Sequence, residues 1–547
     1  MNPARKLLFP SLSVLALAGF SAANDTLLTP AAPGTWSAAT LASIGDIDGD
    51  GRRDLAGSNG TEVRWISSAS GAIVRSVSLG TPTGEQVALS DAGDLDGDGV
   101  SDLFVSRGDV RAYSGATGQL LWQVTSTDLG FGQALQRIDD RDGDGRAEVL
   151  VGVTEMLVWG GGDVLHISYQ GEGHAEIRSG ASGALLATIA APAGSGYGFG
   201  GSLAALGDVD GDGREDFAIA PFYQPASFPG PLGASGDVRL YSGATLAQIR
   251  SFPMPSGRST RVTRLGDLDG DGVGELALAH IWEAVDIVSP VSGATLRTHA
   301  AGTSTERVGQ CVVALGNIDG DGIADYAIGA PQPEQFGYFH EPYDEGPGVV
   351  RVYSGATGGE LQTLAGVVPM GQFGWSVAAA GDLDGDQIDD LFIASPTAGA
   401  LVAISGSTHN STPNAYGVGG LLNGTQRAQL TCSGSTSVAA NDLVLHATHA
   451  LPGKTGIFVY AFHSSFTPFG GGWSCVGSPT FVLGPVVQIG AGGSATHALD
   501  LNAPPASSGP GAISIGTTAY CQFLFRDPLP NDGGRNASNA LAVTFVP

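Results

Sequence analysis

The chain has 547 residues and a formal charge of −28, a balance that argues against nucleic acid and anionic membranes as partners. Glycine accounts for 85 residues, 42% of the chain is hydrophobic and only 14% is charged. That is a turn-rich globular composition, not a disordered one, with length for two or three domains.

Residues 1–23 read as a secretory signal peptide. Arg5 and Lys6 are its basic start, Leu7 to Phe20 its apolar core, and Ser21-Ala22-Ala23 the small residues before cleavage. The apolar run is short for a membrane span and contains Pro10. The expectation is a protein that is secreted, extracellular or held at the cell surface, with no transmembrane segment after cleavage.

From residue 24 to 407 two phrases alternate. The first is acidic and occurs seven times, most clearly as Asp208-Val209-Asp210-Gly211-Asp212-Gly213-Arg214-Glu215-Asp216. Carboxylates at positions 1, 3, 5 and 9, with glycine at 6 for the sharp turn, make a wrapped set of hard oxygen ligands of the kind calcium takes. The predicted ligands are Asp46, Asp48, Asp50 and Asp54, then Asp94, Asp96, Asp98 and Asp102, then Asp140, Asp142, Asp144 and Glu148. They continue with Asp208, Asp210, Asp212 and Asp216, then Asp267, Asp269, Asp271 and Glu275. The last two sets are Asn317, Asp319, Asp321 and Asp325, and Asp382, Asp384, Asp386 and Asp390. The seventh residue of each copy joins its set: Arg52, Val100, Arg146, Arg214, Val273, Ile323 and Ile388. The sixth copy has one carboxylate fewer, and the seventh has Gln387 in place of the turn glycine. Up to seven Ca2+ are therefore expected, the last two sites being the weakest. An EF-hand does not fit, because the loops lack the bidentate Glu at position 12 and any flanking helix.

Short apolar runs flank each loop, such as Ser202 to Gly207 before and Phe217-Ala218-Ile219-Ala220 after, and they read as buried strands. The second phrase is Val238-Arg239-Leu240-Tyr241-Ser242-Gly243-Ala244-Thr245, again at Val350 to Gly358, with relatives in the other copies. Alternating apolar residues enter a glycine turn and a further strand leaves it, which is a hairpin. Each repeat thus supplies four strands, and seven such repeats close most naturally into a seven-bladed β-propeller of all-β class. The last copy lacks a clear fourth strand, which residues near Thr26 to Pro30 are placed to supply.

The pieces Phe199-Gly200-Gly201-Ser202, Gly207-Asp208 and Ala218-Ile219-Ala220-Pro221 resemble the FG-GAP repeat, as do Phe373-Gly374 with Ser395-Pro396. That repeat builds the propeller of integrin alpha subunits and of many bacterial secreted proteins. The resemblance spans about residues 36 to 407 and implies calcium loops, extracellular placement and partners bound on the face opposite those loops. The first two copies lack Phe-Gly and Ala-Pro.

Residues 408–420 read as a linker and 421–547 as a small C-terminal β domain of sandwich type, with strands at Leu443 to Leu445, Gly456 to Tyr460 and Cys521 to Phe525. Cys311 stands where sister repeats have Ser202 and Ser376, and reads as a small buried thiol. Cys432, Cys475 and Cys521 allow at most one internal disulfide, with the pair left open. Arg107-Gly108-Asp109 spells an adhesion tripeptide but belongs to the repeat's own approach to strand three. No catalytic motif emerges. The expected role is binding or adhesion, through a protein or polysaccharide ligand at the cell exterior. The alternative is an extracellular polysaccharide lyase or hydrolase built on a propeller. Long insertions between strands two and three, at Met156 to Glu176, Pro221 to Gly236 and Pro331 to Gly348, mark the face expected to bind, and two of them are aromatic, with Phe222, Tyr223 and Phe228, then Phe336, Tyr338, Phe339 and Tyr343.

Overall fold

The computed structural model describes residues 26–28, 39–81, 86–161, 164–169, 171–192, 198–221, 237–253, 260–281, 283–301, 307–331, 347–366, 368, 371–383, 388–404, 406, 414–416, 421–422, 426–470, 472–514, 517–528 and 534–545. Residues 1–23, read above as a signal peptide, lie outside them, as do Asp384 and Asp386 and the insertions at 222–236 and 332–346. Apart from one short 3-10 turn at Gly509–Gly511, every regular element among the described residues is a strand.

Seven four-stranded antiparallel sheets occupy the chain up to residue 404. The fourth is typical: Phe199–Gly207, Asp216–Pro221, Asp237–Tyr241 and Gln248–Pro253, hydrogen-bonded in that order. The second strand is buried from end to end in every sheet, as in Asp102–Ser106, Asp216–Pro221 and Asp390–Ser395. A strand covered on both faces has no reason to alternate, which is why these segments read as continuous apolar runs. Burying each ring such as Phe217 or Phe392 stabilises the fold by roughly 1.5–3 kcal/mol. Fourth strands such as Ile73–Ser78 and Leu120–Thr125 are mostly accessible.

First strands meet one another. Thr40–Ile44 contacts Ala88–Gly93, which contacts Phe131–Ile138, and the succession runs on through Phe199–Gly207, Thr260–Arg264, Cys311–Ala314 and Ser376–Gly381 back to Thr40–Ile44. Small side chains stitch the neighbours. Ser90 Oγ accepts the Arg137 N–H at 3.1 Å, Ser202 Oγ that of Val262 at 3.1 Å and Ser376 Oγ that of Leu41 at 3.2 Å. Cys311 Sγ donates to the Gly374 carbonyl at 3.3 Å, and burial pushes its thiol up to about 12. It does the work of its serine counterparts. The seventh sheet joins both ends of this region: Thr26–Leu28 pairs antiparallel with Ala400–Ile404, Thr26 opposite Ile404.

The Met156–Gly161 and Val164–Tyr169 strands form an extra hairpin between strands two and three of the third sheet.

The C-terminal region corrects one boundary. Asn414–Tyr416, inside the stretch read as a linker, is an edge strand paired with Arg535–Thr544. Its polar composition hid it, because an edge strand needs only backbone groups on one side. The five-stranded sheet continues through Thr518–Arg526 and Thr455–Ala461 to Phe481–Gln488. A three-stranded sheet of Gln429–Ser433, Val444–Thr448 and Ala495–Ala498 shares its core, with Leu430 and Leu445 packed in one cluster with Phe458 and Phe523. All four cysteines are free thiols. This region sits on the sixth sheet, where Tyr520 donates its hydroxyl to Glu360 at 3.0 Å and Trp473 and Val459 join the core of Val349 and Ala365.

Candidate metal centres

In the loop at Asp208, the backbone folds around its first carboxylate. Asp208 Oδ1 accepts the N–H groups of Gly211 at 2.7 Å and Asp212 at 2.9 Å, and Oδ2 that of Gly213 at 2.9 Å. Gly211 and Gly213 take φ of +80° and +86°, the left-handed region that favours glycine. Position 4 therefore needs glycine as much as position 6, which the sequence reading had singled out alone. Asp210 Oδ1 accepts from Asp212 N at 3.1 Å and Asp212 Oδ1 from Arg214 N at 2.9 Å, while Asp212 Oδ2 accepts the Ser242 hydroxyl at 3.0 Å.

The ninth carboxylate joins the two phrases. Asp216 Oδ2 accepts the Val209 N–H at 2.7 Å within the loop, while Oδ1 accepts the Gly243 N–H at 2.6 Å in the Tyr-Ser-Gly turn. The same pair of bonds recurs at Asp54 with Ser68, Asp102 with Gly115, Asp325 with Gly355 and Asp390 with Gly406. A Cβ on Gly243 or Gly355 would lie 2.1 or 1.8 Å from a loop carbonyl, so the turn keeps glycine to let the backbones touch. In the fifth sheet the turn residue is Pro290, which has no N–H to give. There the ninth residue is Glu275, and its buried Oε1 has no hydrogen-bond partner; the same holds for Oε2 of Glu148 in the third sheet.

The carboxylate oxygens converge within 4.8 Å of one another in five groups. Oxygens around one hard cation at 2.3–2.6 Å stand no more than about 5 Å apart, so the separation fits a shared ion. The fifth loop brings all four acids together, Asp267, Asp269, Asp271 and Glu275. The second, third and fourth bring positions 1, 3 and 9: Asp94, Asp96 and Asp102; Asp140, Asp142 and Glu148; Asp208, Asp210 and Asp216. The first brings Asp46, Asp48 and Asp50, with Asp54 turned to its backbone donors. Among the described residues, the sixth loop gathers no three carboxylates this closely. The orphaned Glu148 and Glu275 oxygens and the all-oxygen donor set suit a hard divalent ion. Two of the seventh-position residues also reach sideways: Arg214 Nη1 donates to Asp140 O at 2.6 Å, and Arg52 Nη1 donates to Leu383 O.

Burial and crowding show in the acidities. Burial pushes Glu148 and Glu275 up to about 7 and Asp102 up to about 6, and neighbouring aspartates push the same way. Asp140, accepting the Gly145 and Gly143 N–H groups, is held below the usual carboxylate value. A carboxyl with a raised folded pKa binds its proton more tightly folded than unfolded. In chelator, stability should therefore rise as pH falls from about 7 towards about 4.5. A saturating divalent ion should flatten that slope by displacing the protons. Melting curves across this range, with and without EDTA, test it, and parallel slopes would contradict the assignment.

Two other constellations are closed. Thr260, His280 and Asp286 form a hydrogen-bonded chain at 3.2 Å per link, but Thr260 is 1% exposed and no substrate reaches it. Arg107 of the Arg-Gly-Asp tripeptide bonds the Gly60 carbonyl at 3.0 Å, and Asp109 is gripped by Arg111 at 2.6 Å, so neither is presented to a partner.

The FG-GAP-like repeat family matches residues 46–105 and the FG-GAP repeat family residues 373–412. The first match covers the two copies in which the Phe-Gly phrase is missing. No curated protein matches the chain. One similar solved structure is the crystal structure of BBS1N in complex with ARL6DN, soaked with lead, at 12% identity and a TM-score of 0.43, covering 70% of this chain and 94% of that one. The acidic loops, the four-stranded sheets that carry them and the two family matches together make this chain an FG-GAP repeat protein.

Proposed function

We propose that the chain is a secreted, calcium-binding, integrin-alpha-like seven-bladed propeller with a C-terminal β-sandwich, acting as a non-catalytic binding or adhesion protein at the cell exterior. Seven four-stranded sheets whose first strands meet in a complete circuit support the closed ring. The observation that carries the reading is the ninth carboxylate. In five of the seven blades it bonds both the loop between strands one and two and the turn between strands three and four, so an ion held in that loop braces the same end of the ring. Connections between strands two and three leave from the other end. The Met156 to Tyr169 hairpin stands there, and the insertions beginning after Pro221 and Pro331 start there. Long loops on a braced scaffold are where ligand contacts collect.

The partner is a protein or polysaccharide that contacts the aromatic insertions. The test is an array of polysaccharides and matrix proteins scored for both binding and turnover. Binding without turnover is expected, lost by about tenfold or more in a combined Tyr223→Ala, Phe336→Ala and Tyr343→Ala variant that keeps its metal. Turnover of a bound polysaccharide would replace this reading with the enzymatic one.

A further inference from the structure

In three of the sheets the first and third residues of strand three pair as an acid and an arginine: Glu62 with Arg64 at 3.0 Å, Asp109 with Arg111 at 2.6 Å and Asp237 with Arg239 at 4.0 Å. A guanidinium keeps its charge at every pH the protein meets. The third sheet departs from this pattern. Its strand three, His174–Arg178, puts an imidazole first and Glu176 third. His174 Nδ1 lies 3.2 Å from Glu155 Oε1 and Nε2 3.7 Å from Glu176 Oε1, while Arg178 Nε donates to Glu176 Oε2 at 2.7 Å. A titratable cation thus stands between two carboxylates where the sister sheets have a permanent one.

Glu155 is at the root of the extra hairpin, between strand two and Met156–Gly161. Its φ of +50° is left-handed, which a residue with a side chain adopts at a cost unless its surroundings hold it there. Its carboxylate rests on the returning leg, since a Cβ on Gly171 would lie 1.7 Å from Oε2. Among the described residues the two hairpin strands pair only with each other. A two-stranded hairpin is marginally stable alone, so its order depends on how the root is held. An imidazolium donates from both nitrogens and holds Glu155 and Glu176 at once. A neutral ring has one N–H and turns a lone pair to the other carboxylate. We propose that His174 is a proton-operated latch: charged, it ties the root of the Met156–Tyr169 hairpin to strand three, and neutral, it breaks that tie.

The Glu176 carboxylate raises the His174 pKa against the effect of burial, and Glu155 raises it further. A group with a raised folded pKa contributes in full below its unfolded value, about 6.5, and loses that contribution as pH rises through the folded one. The latch is therefore closed in acid and opens towards alkaline pH. Glu172, on the same connection, is a further acid nearby. The flanking strands Leu185–Ala190 and Phe199–Gly207 carry no charged residue, and Phe131–Ile138 carries Arg137 alone. The hairpin stands at the end of the ring assigned above to ligand contacts, so the latch lets pH set how that surface is presented. The latch itself does not depend on that assignment.

Hydrogen–deuterium exchange of the calcium-saturated full chain tests it, read on peptides spanning 156–169 and corrected for the intrinsic pH dependence of amide exchange. Protection should be highest below about pH 6.5 and fall as pH rises through the His174 titration, each unit of raised pKa showing as about tenfold in protection. His174→Gln is never charged and should show weak protection at every pH, with no step. Glu155→Gln keeps the shape of the root and should lose most of the step. Unchanged calcium uptake and unchanged protection of Phe199–Gly207 report that each variant is folded. Constant protection of the hairpin in the parent between about pH 5.5 and 8.5 overturns the proposal. So does a step that survives in His174→Gln, which would belong to His166 within the hairpin or to Glu148 at the far end of strand two.

Discussion

Removing divalent metal should lower the melting temperature by more than about ten degrees. An ion present at tenfold its dissociation constant stabilises the state that binds it by roughly 1.4 kcal/mol. Seven independent sites reach on the order of 10 kcal/mol, comparable to the net stability of a domain. The geometry says where the effect arises. Five groups hold three or four carboxylate oxygens within 4.8 Å, and without an ion their mutual repulsion is uncompensated. The loops should nonetheless keep their shape in chelator, because Asp208 and its counterparts are already wrapped by backbone N–H groups. The expected result is a lower melt of an intact fold, restored by calcium. Occupancy should fail first in the sixth loop, which opens with Asn317, and in the seventh, which has Gln387. Scanning calorimetry with EDTA and with calcium restored gives the shift, and crystals grown at low calcium give the order. An unchanged melt with no calcium uptake would remove metal from the account, and early filling of the last two loops would break the ligand-count argument.

The acids were legible because their chemistry is local: four offsets in nine residues state the loop without reference to anything distant. Strand two was legible for a related reason. A segment such as Phe217-Ala218-Ile219-Ala220 is buried on both faces, so its own composition reports its place. The partnerships were not legible. Gly45 and Gly266 precede their loops because a Cβ there would lie 2.6 Å from the Ser101 Cβ or 2.4 Å from that of Ala324, and both obstacles belong to the next sheet. The alternation of the acidic and Tyr-Ser-Gly phrases was visible, but the bond from Asp216 to Gly243 that explains it crosses 27 residues. Pro290 and Glu275 could have hinted at it, since the donor disappears in a copy where the acid also changes. The seat of the C-terminal region on the sixth sheet left no periodic trace, as Tyr520 and Glu360 are 160 residues apart and each reads as ordinary alone.

The ninth position should be the most damaging of the acids to lose, and by a route separate from metal. Asp216→Ala strands the Gly243 N–H in the interior and removes the acceptor of the part-buried Val209 and Asp210 N–H groups. A buried donor left without an acceptor costs about 1–3 kcal/mol, which applies in full to Gly243 and in part to the other two, before any ion is considered. Asp212→Ala differs. Of its two partners, the Arg214 N–H is exposed and can turn to water, and the buried Ser242 hydroxyl loses one acceptor. Asp216→Asn should fall between. It keeps an acceptor oxygen but aims an NH2 at a backbone donor, while losing the charge that burial disfavours and that raises the Asp216 pKa. In EDTA the melting temperature should therefore fall most for Asp216→Ala, less for Asp216→Asn and least for Asp212→Ala. Metal affinity at that loop should drop in all three. Melts in chelator separate the two roles, because the buried bond from the ninth position to the turn remains when no ion is bound. Equal destabilisation by Asp212→Ala and Asp216→Ala under those conditions would mean that the bridge between loop and turn contributes nothing of its own.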